Sequence, residues 1–390
     1  MKLTNTFFIL FCFLLTYSYT DGQTMFHKGS WAEIQKTALK ENKYILLDGY
    51  TQWCGFCKLQ DEEIFAREDV GSFVNDHFIA TKIDMEHGIG PRLAAKFRVW
   101  IFPTLLFFNP QGQLIEKQIG YNDDPADFLK SLQEIIAIKE EKKFAYDSQN
   151  LDVDFPFFYK AYFDKEADRP NNTKELAIEY LHTTIDIFSE QAWSVMTLFE
   201  APEKISNAFL EHYDIYKGMY GNTEAEFLLR NILLEKIHLA AVENNEDSFQ
   251  KWLSYGEEKI KDNFIGNELK IQYYTETKNW KAFVKTLDTI FSKKDYTEFR
   301  KMNQQSWEIY EVVDDPIAIT KALSWMEIVI EGSKNYNYWD TYTALLYKDH
   351  QYDKALSYAD ITIKLGIAQQ TDVSVTKELR EMILLAQEEK

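Results

Sequence analysis

The stretch Trp53-Cys54-Gly55-Phe56-Cys57 holds the only two cysteines that remain once an N-terminal leader is set aside. An apolar run of strand length, residues 43–50, precedes it, and residues 58–65 have helical spacing. Free N–H groups and the helix dipole favour a thiolate at the start of a helix. The pattern predicts a redox-active dithiol in which Cys54 attacks a disulfide and Cys57 resolves the mixed disulfide.

A zinc site is the alternative use of a C-x-x-C pair. Zinc needs about four ligands, but the chain without its leader has no third cysteine. His27, His77 and His87 show no paired spacing. The sequence therefore favours redox chemistry over metal binding, and it predicts neither a metal nor another cofactor.

Two further stretches resemble the thioredoxin superfamily. Residues 45–54 (Ile-Leu-Leu-Asp-Gly-Tyr-Thr-Gln-Trp-Cys) resemble the family's second core strand and active-site turn, and residues 102–104 (Phe-Pro-Thr) resemble its cis-proline loop. The resemblance covers residues 26–140. It implies a cis peptide before Pro103, in a loop that faces the disulfide and, with Phe102, offers backbone to a substrate strand.

The residue between the cysteines departs from the family pattern. Phe56 stands where thioredoxins usually have proline and protein disulfide isomerases usually have histidine. Without an imidazolium group to hold the thiolate, we expect a reductant rather than a strong oxidant.

Asp48 has two interpretations. Burying a carboxylate is costly, so Asp48 could be a charged residue at the end of its strand. The resemblance implies instead a buried acid that moves a proton to or from Cys57, with its pKa raised by desolvation.

Trp53 and Phe56 flank the first cysteine with large apolar side chains. We expect them to form exposed apolar surface that grips substrate chains. Local packing is the alternative.

The pattern of residues 23–143 predicts an α/β thioredoxin-like domain whose mixed sheet is flanked by helices. A capping box at Ser30 and Glu33 predicts the first helix. Strands are expected at 43–50, 78–84, 104–108 and 113–119. Further helices are expected from Cys57 to 67, at 70–76, at 91–97, and from 125 to 143.

Residues 1–22 have the layout of a cleaved signal peptide, with Lys2 before a short apolar block. A transmembrane anchor is the alternative, but it would need about 20 apolar residues. We therefore expect an exported protein with no stable membrane insertion, in an extracytoplasmic compartment such as the bacterial periplasm. The net charge of −19 argues against nucleic-acid binding.

Residues 144–390 are predicted to form an all-helical domain. Residues 322–330 match residues 355–363 at an offset of 33 residues, and residues 305–366 resemble tetratricopeptide repeats. An irregular helical domain is the alternative. The Asp and Glu excess is interpreted as mostly solvated surface.

Two functions are compatible with these features. The first is an exported thiol-disulfide oxidoreductase that acts on proteins with disulfides or thiols, receives electrons from an upstream donor, and binds a protein partner through its helices. The second is an interaction protein whose thioredoxin-like domain is a docking or chaperone-like module with little redox turnover.

Overall fold

The computed structural model describes residues 22–138, 146–184, 186–199, 201–261 and 264–388. The predicted leader, apart from Gly22, and the predicted boundary between residues 143 and 144 lie outside them. The chain divides into two compact units, Met1–Leu228 and Leu229–Lys390. Each unit is described by itself.

The first unit contains a mixed four-stranded sheet. Its strands are β1 (Tyr44–Tyr50), β2 (Phe78–Asp84), β3 (Thr104–Phe108) and β4 (Leu114–Ile119). They lie in the order β2-β1-β3-β4, with β1 parallel to β2 and antiparallel to β3, and β3 antiparallel to β4. The predicted thioredoxin-like fold class is confirmed.

Helices precede, separate and follow these strands: α1 (Trp31–Glu41), α2 (Gly55–Leu59), α3 (Glu68–His77), α4 (Gly90–Phe97) and α5 (Pro125–Ile136). The predicted capping box is present at the start of α1. The helix predicted from Cys57 to 67 is instead α2 followed by a π-helical segment, Gln60–Phe65. Helix α5 ends at Ile136 because its last turn tightens, with the Ile138 N–H donating to the Ile135 carbonyl three residues back.

Both faces of the sheet are covered, since successive strand residues point to opposite sides. On one face Leu46 and Phe107 belong to a buried cluster with Phe128 of α5. On the other, Phe108 meets the ring of Trp31 edge-on at 5.1 Å. Each such buried side chain contributes roughly 1.5–3 kcal/mol.

More helices complete the first unit: α6 (Phe157–Phe163), α7 (Thr173–Thr183), α8 (Glu190–Leu198), α9 (Glu203–Glu211), α10 (Tyr213–Tyr220) and the start of α11 (Asn222–Val242). Their aromatic residues pack together. Trp193 stacks on Tyr220 with ring centroids 4.6 Å apart.

A buried ion cluster, formed by Arg98, Lys117 and Glu224, joins these helices to the thioredoxin-like domain. Arg98 Nε donates to Glu224 Oε2 and Lys117 Nζ donates to Glu224 Oε1, each at 2.8 Å. The Trp193 indole N–H donates to the same carboxylate at 3.0 Å. Burial alone would raise the pKa of Glu224, but the two cations outweigh it and the pKa is lowered.

The second unit continues with α12 (Glu246–Lys259), α13 (Ile265–Glu276), α14 (Trp280–Ile290), α15 (Phe299–Val312), α16 (Pro316–Gly332), α17 (Tyr336–Lys348), α18 (Tyr352–Ala368) and α19 (Ser374–Glu388). Beyond residue 146 the described residues contain no strand, as predicted. The two matching segments, 322–330 and 355–363, lie in α16 and α18. The tetratricopeptide assignment stays a prediction.

Candidate functional site

Cys54 and Cys57 form a disulfide where the chain passes from β1 into α2. Cys54 is the N-cap residue of α2, and its sulfur accepts a hydrogen bond from the Cys57 N–H at 3.0 Å. Both residues are nearly buried, with 4% and 3% of their surface exposed, whereas their neighbours Trp53, Gly55 and Phe56 are exposed. Another sulfur therefore has to approach Cys54 from the side on which these neighbours lie.

Trp53 and Phe56 are 65% and 62% exposed, as predicted, and each also has one aromatic neighbour. The Trp53 ring meets Phe102 edge-on at 5.9 Å, and Phe56 stacks on Tyr121 at 6.2 Å. The Trp53 indole N–H donates to both carboxylate oxygens of Glu86, at 3.0 and 3.1 Å. These contacts fix the rings while leaving most of their surface in solvent.

The peptide between Phe102 and Pro103 is cis, as the resemblance implied. Pro103 immediately precedes β3, whose first residue, Thr104, pairs with Gly49 of β1. A Cβ added at Gly49 would lie 3.2 Å from the Thr104 carbonyl oxygen and 2.6 Å from Met85 Cε. Glycine thus permits the close approach that places the proline loop beside the strand leading to the cysteines.

Asp48 is fully buried on β1. Lys82 lies opposite Asp48 in the pairing of β1 with β2, and the two form an ion pair with Nζ 3.0 Å from Oδ2. The same ammonium group donates a hydrogen bond to Asp61, which is half-exposed. Within the described chain, neither oxygen of Asp48 accepts a well-formed hydrogen bond. Burial raises the pKa of Asp48 to about 6, although the charge of Lys82 opposes the rise. The carboxyl group therefore titrates near neutral pH.

The predicted site residues gather at one end of β1, but Lys82, Asp61 and Glu86 were missed. The parallel pairing of β1 with β2 would have indicated Lys82, had the register been assigned. Asp61 lies four residues after Cys57, a helical spacing that places the two near the same side of the segment. Glu86 follows β2 with no pattern in the sequence that marks it.

Where coordinates are described, no cluster of three His, Cys, Asp or Glu side chains is arranged to hold a metal ion. No described helix combines the length and apolar character needed to cross a membrane.

Comparison with known proteins identifies the domain. Residues 31–136 match the family model of the thioredoxin-like domain. The chain is 30% identical over 103 residues to Thioredoxin-2 of Pyricularia oryzae, covering 26% of this chain and 56% of that protein. It is 27% identical over 141 residues to a protein disulfide-isomerase of Schizosaccharomyces pombe, covering 35% and 36% respectively.

Among solved structures, a proposed disulphide-isomerase from Bacteroides thetaiotaomicron is 35% identical, with 31% of this chain and 98% of that chain covered at a TM-score of 0.28. The chain spans about half the length of Thioredoxin-2 and about a third of that of the Schizosaccharomyces isomerase. The family model itself covers residues 31–136, which lie in the first unit.

Proposed function

Because residues 31–136 form a thioredoxin-like domain, we propose that the chain is an exported thiol-disulfide oxidoreductase that acts on protein substrates. One observation carries the proposal: the Cys54–Cys57 disulfide sits at a strand–helix junction, between exposed aromatic side chains and next to the cis-proline loop. The relatives that carry matching domains include a thioredoxin and a protein disulfide-isomerase.

The proposed reaction transfers two electrons. In the reduced protein, the Cys54 thiolate attacks one sulfur of a substrate disulfide, and the other substrate sulfur leaves as a thiolate. The Cys57 thiolate then attacks Cys54 Sγ, which releases the second substrate sulfur and forms the Cys54–Cys57 disulfide. Asp48 accepts the proton of Cys57, and Pro103 orients the substrate backbone. An external dithiol reductant restores the pair.

Trapping of substrates tests this reaction. Cys57→Ser removes the resolving thiol, so mixed disulfides through Cys54 are expected to accumulate. Cys54→Ser is the matched control and should trap nothing. In parallel, wild-type protein should reduce the disulfides of insulin with dithiothreitol as electron source, faster than Cys54→Ser does. Equal behaviour of wild type and Cys54→Ser would contradict the proposal.

The direction of electron flow is proposed to be reductive because Phe56 supplies no imidazolium between the cysteines. The reduction potential of the pair, measured against glutathione redox buffers, tests this. A value near about −120 mV, typical of a strong oxidant, would reverse the assignment.

Export and domain organisation are part of the proposal. A leader at residues 1–22 is expected to be removed, leaving a thioredoxin-like domain over 23–143 and a partner-binding helical domain over 144–390. Sequencing the N-terminus of protein recovered from the extracytoplasmic fraction checks the first point. A mature chain that still begins at Met1 would contradict it.

The second candidate function is a docking module with little redox turnover. The near-complete burial of both cysteines favours it. Under this alternative, the Cys57→Ser variant would trap no substrate, while wild type and Cys54→Ser would bind the same partners.

A further inference from the structure

Beside the disulfide, the first unit has a groove of about 230 Å³, here called the side groove. One wall comes from the thioredoxin-like domain and includes Trp53 and Phe102. The other comes from α6 and the loop after it, and includes Tyr162 and Arg169. The second wall lies beyond residues 31–136, so it does not belong to the matched domain.

The side groove begins at the reactive residues. Trp53 precedes Cys54 in the chain, and Phe102 precedes Pro103. The two rings touch edge-on, and Trp53 remains largely exposed. An extended chain bound at the proline loop would therefore pass directly along an aromatic surface, which suits large apolar side chains.

Two basic residues, Lys165 and Arg169, line the side groove, and they differ in whether a carboxylate pairs with them. Lys165 Nζ lies 2.7 Å from a carboxylate oxygen of Glu86, which is also held by the Trp53 indole. Arg169 donates through Nε to the Ala161 carbonyl at 2.9 Å. Its guanidinium lies 5.3 Å from the centre of the Tyr162 ring. Among the residues with described coordinates, no carboxylate forms an ion pair with Arg169.

An arginine held through Nε and an aromatic face keeps its two terminal nitrogens for another acceptor. Those nitrogens match a carboxylate in bidentate geometry. The side groove thus combines aromatic side chains with one cation, Arg169, that forms no ion pair with a described carboxylate. This complementarity selects an acidic peptide over a basic one.

We propose that the side groove is a substrate subsite, which binds a polypeptide segment with a large apolar side chain and an adjacent Asp or Glu beside the substrate cysteine. The apolar side chain packs between Trp53 and Tyr162, and the acid pairs with Arg169. This inference rests on the proposed oxidoreductase function and specifies its substrates. It also means that α6 and the loop after it, which follow the thioredoxin-like domain, help to select the substrate.

The test uses two synthetic peptides, each with one cysteine joined as a mixed disulfide to 5-thio-2-nitrobenzoate. Before that cysteine, one peptide carries Phe and Asp, and the other Phe and Lys. The cysteamine mixed disulfide with the same chromophore lacks both neighbours and serves as a small substrate. The dithiothreitol-reduced full chain, freed of excess reductant, should react once with each peptide, and the second-order rate constant of this single turnover should be about tenfold higher for the acidic peptide than for the basic one, through tighter binding.

Two variants change this preference in different ways. Arg169→Glu should reverse the preference, and Tyr162→Ala should lower the second-order rate constant about tenfold for both peptides. The cysteamine disulfide should react at the same rate with all proteins. Lys36→Glu, the same charge reversal on the exposed side of α1, is the matched control and should behave as wild type. Since both side chains are exposed, the variants should fold, which thermal unfolding by circular dichroism checks.

A binding measurement separates this inference from the proposed function. Serine versions of the two peptides, labelled for fluorescence anisotropy, cannot react, so their affinities report on the side groove alone. Tighter binding of the acidic peptide, reversed by Arg169→Glu, supports the subsite even if wild type reduces no disulfide. Equal affinities for both peptides, or an Arg169→Glu variant that binds as wild type does, would overturn it.

Discussion

In the described part of the first unit, the carboxylates of Asp48 and Glu224 are both buried, yet their pKa values are shifted in opposite directions. Glu224 accepts hydrogen bonds from two cations and from an indole, and its pKa is lowered. Asp48 has one nearby cation, which it shares with Asp61, and its pKa is raised to about 6. Both carboxylates are desolvated by burial. The opposite directions of their pKa shifts therefore come from the number of cations and hydrogen-bond donors that contact each of them.

The comparison separates a structural charge from a reactive one. A carboxylate that two cations hold has a lowered pKa and is ionised at neutral pH, and it keeps the helices attached to the thioredoxin-like domain. A carboxylate that is incompletely paired exchanges its proton near neutral pH. Only the second kind is suited to proton transfer.

The largest effect is expected at Glu224. Glu224→Gln leaves Arg98 and Lys117 buried without a counter-charge, so the first unit should lose about 3–5 kcal/mol of its free energy of unfolding. Urea unfolding, followed by tryptophan fluorescence, measures the loss. Glu226→Gln, two residues away in a part-exposed pair with Lys217, is the matched control and should cost less than about 1 kcal/mol. If both variants lost the same free energy of unfolding, Glu224 would not have the structural role assigned to it.

The next effect is expected on turnover. Asp48→Asn removes the proton acceptor, so disulfide reduction at pH 7 should slow by about 100-fold. Asp76→Asn, a change at an exposed position on α3, is the control and should react as wild type. Stopped-flow measurement of the single-turnover rate distinguishes the two. An unchanged rate in Asp48→Asn would mean that the raised pKa has no part in the chemistry.

The sequence predicts one side of this comparison better than the other. The strand around Asp48 and the C-x-x-C turn are local patterns, so their positions follow from spacing and apolar runs. Glu224 lies 126 residues from Arg98 in the chain, and the acidic residues of the helical region were interpreted as mostly solvated surface. Pairing over such a separation depends on how helices pack, which local periodicity does not encode.

The stability of the protein should show the same contrast as a function of pH. Between pH 4 and 6 the folded protein keeps the Asp48 proton that the unfolded chain has lost, so this group makes stability fall as pH rises. Asp48→Asn removes the ionisable group, and with it this fall in stability. The variant should therefore be about 2–3 kcal/mol more stable than wild type at pH 8, and nearly equal to it below pH 4.

Glu224 should give the opposite slope. Because its folded pKa is lowered, its contribution is present above the ordinary value of 4.5 and is lost as pH falls through the lowered pKa. The deficit of Glu224→Gln should shrink on acidification. Urea unfolding of both variants and wild type at pH 4 and pH 8 measures the two slopes. Slopes of the same sign would contradict the assignment of opposite pKa shifts.

The smallest effect is expected at Asp61, which competes with Asp48 for Lys82. The negative charge of Asp61 also raises the pKa of Asp48. Asp61→Asn should therefore leave Lys82 to Asp48 and move the pH profile of the single-turnover rate toward acid, with less than about a tenfold change at pH 6. The matched control is Glu62→Gln, an exposed acid in the same π-helical segment, which should leave the profile in place. If the pH profile of Asp61→Asn instead moved toward alkaline pH, competition from Asp61 for Lys82 would not explain the raised pKa of Asp48.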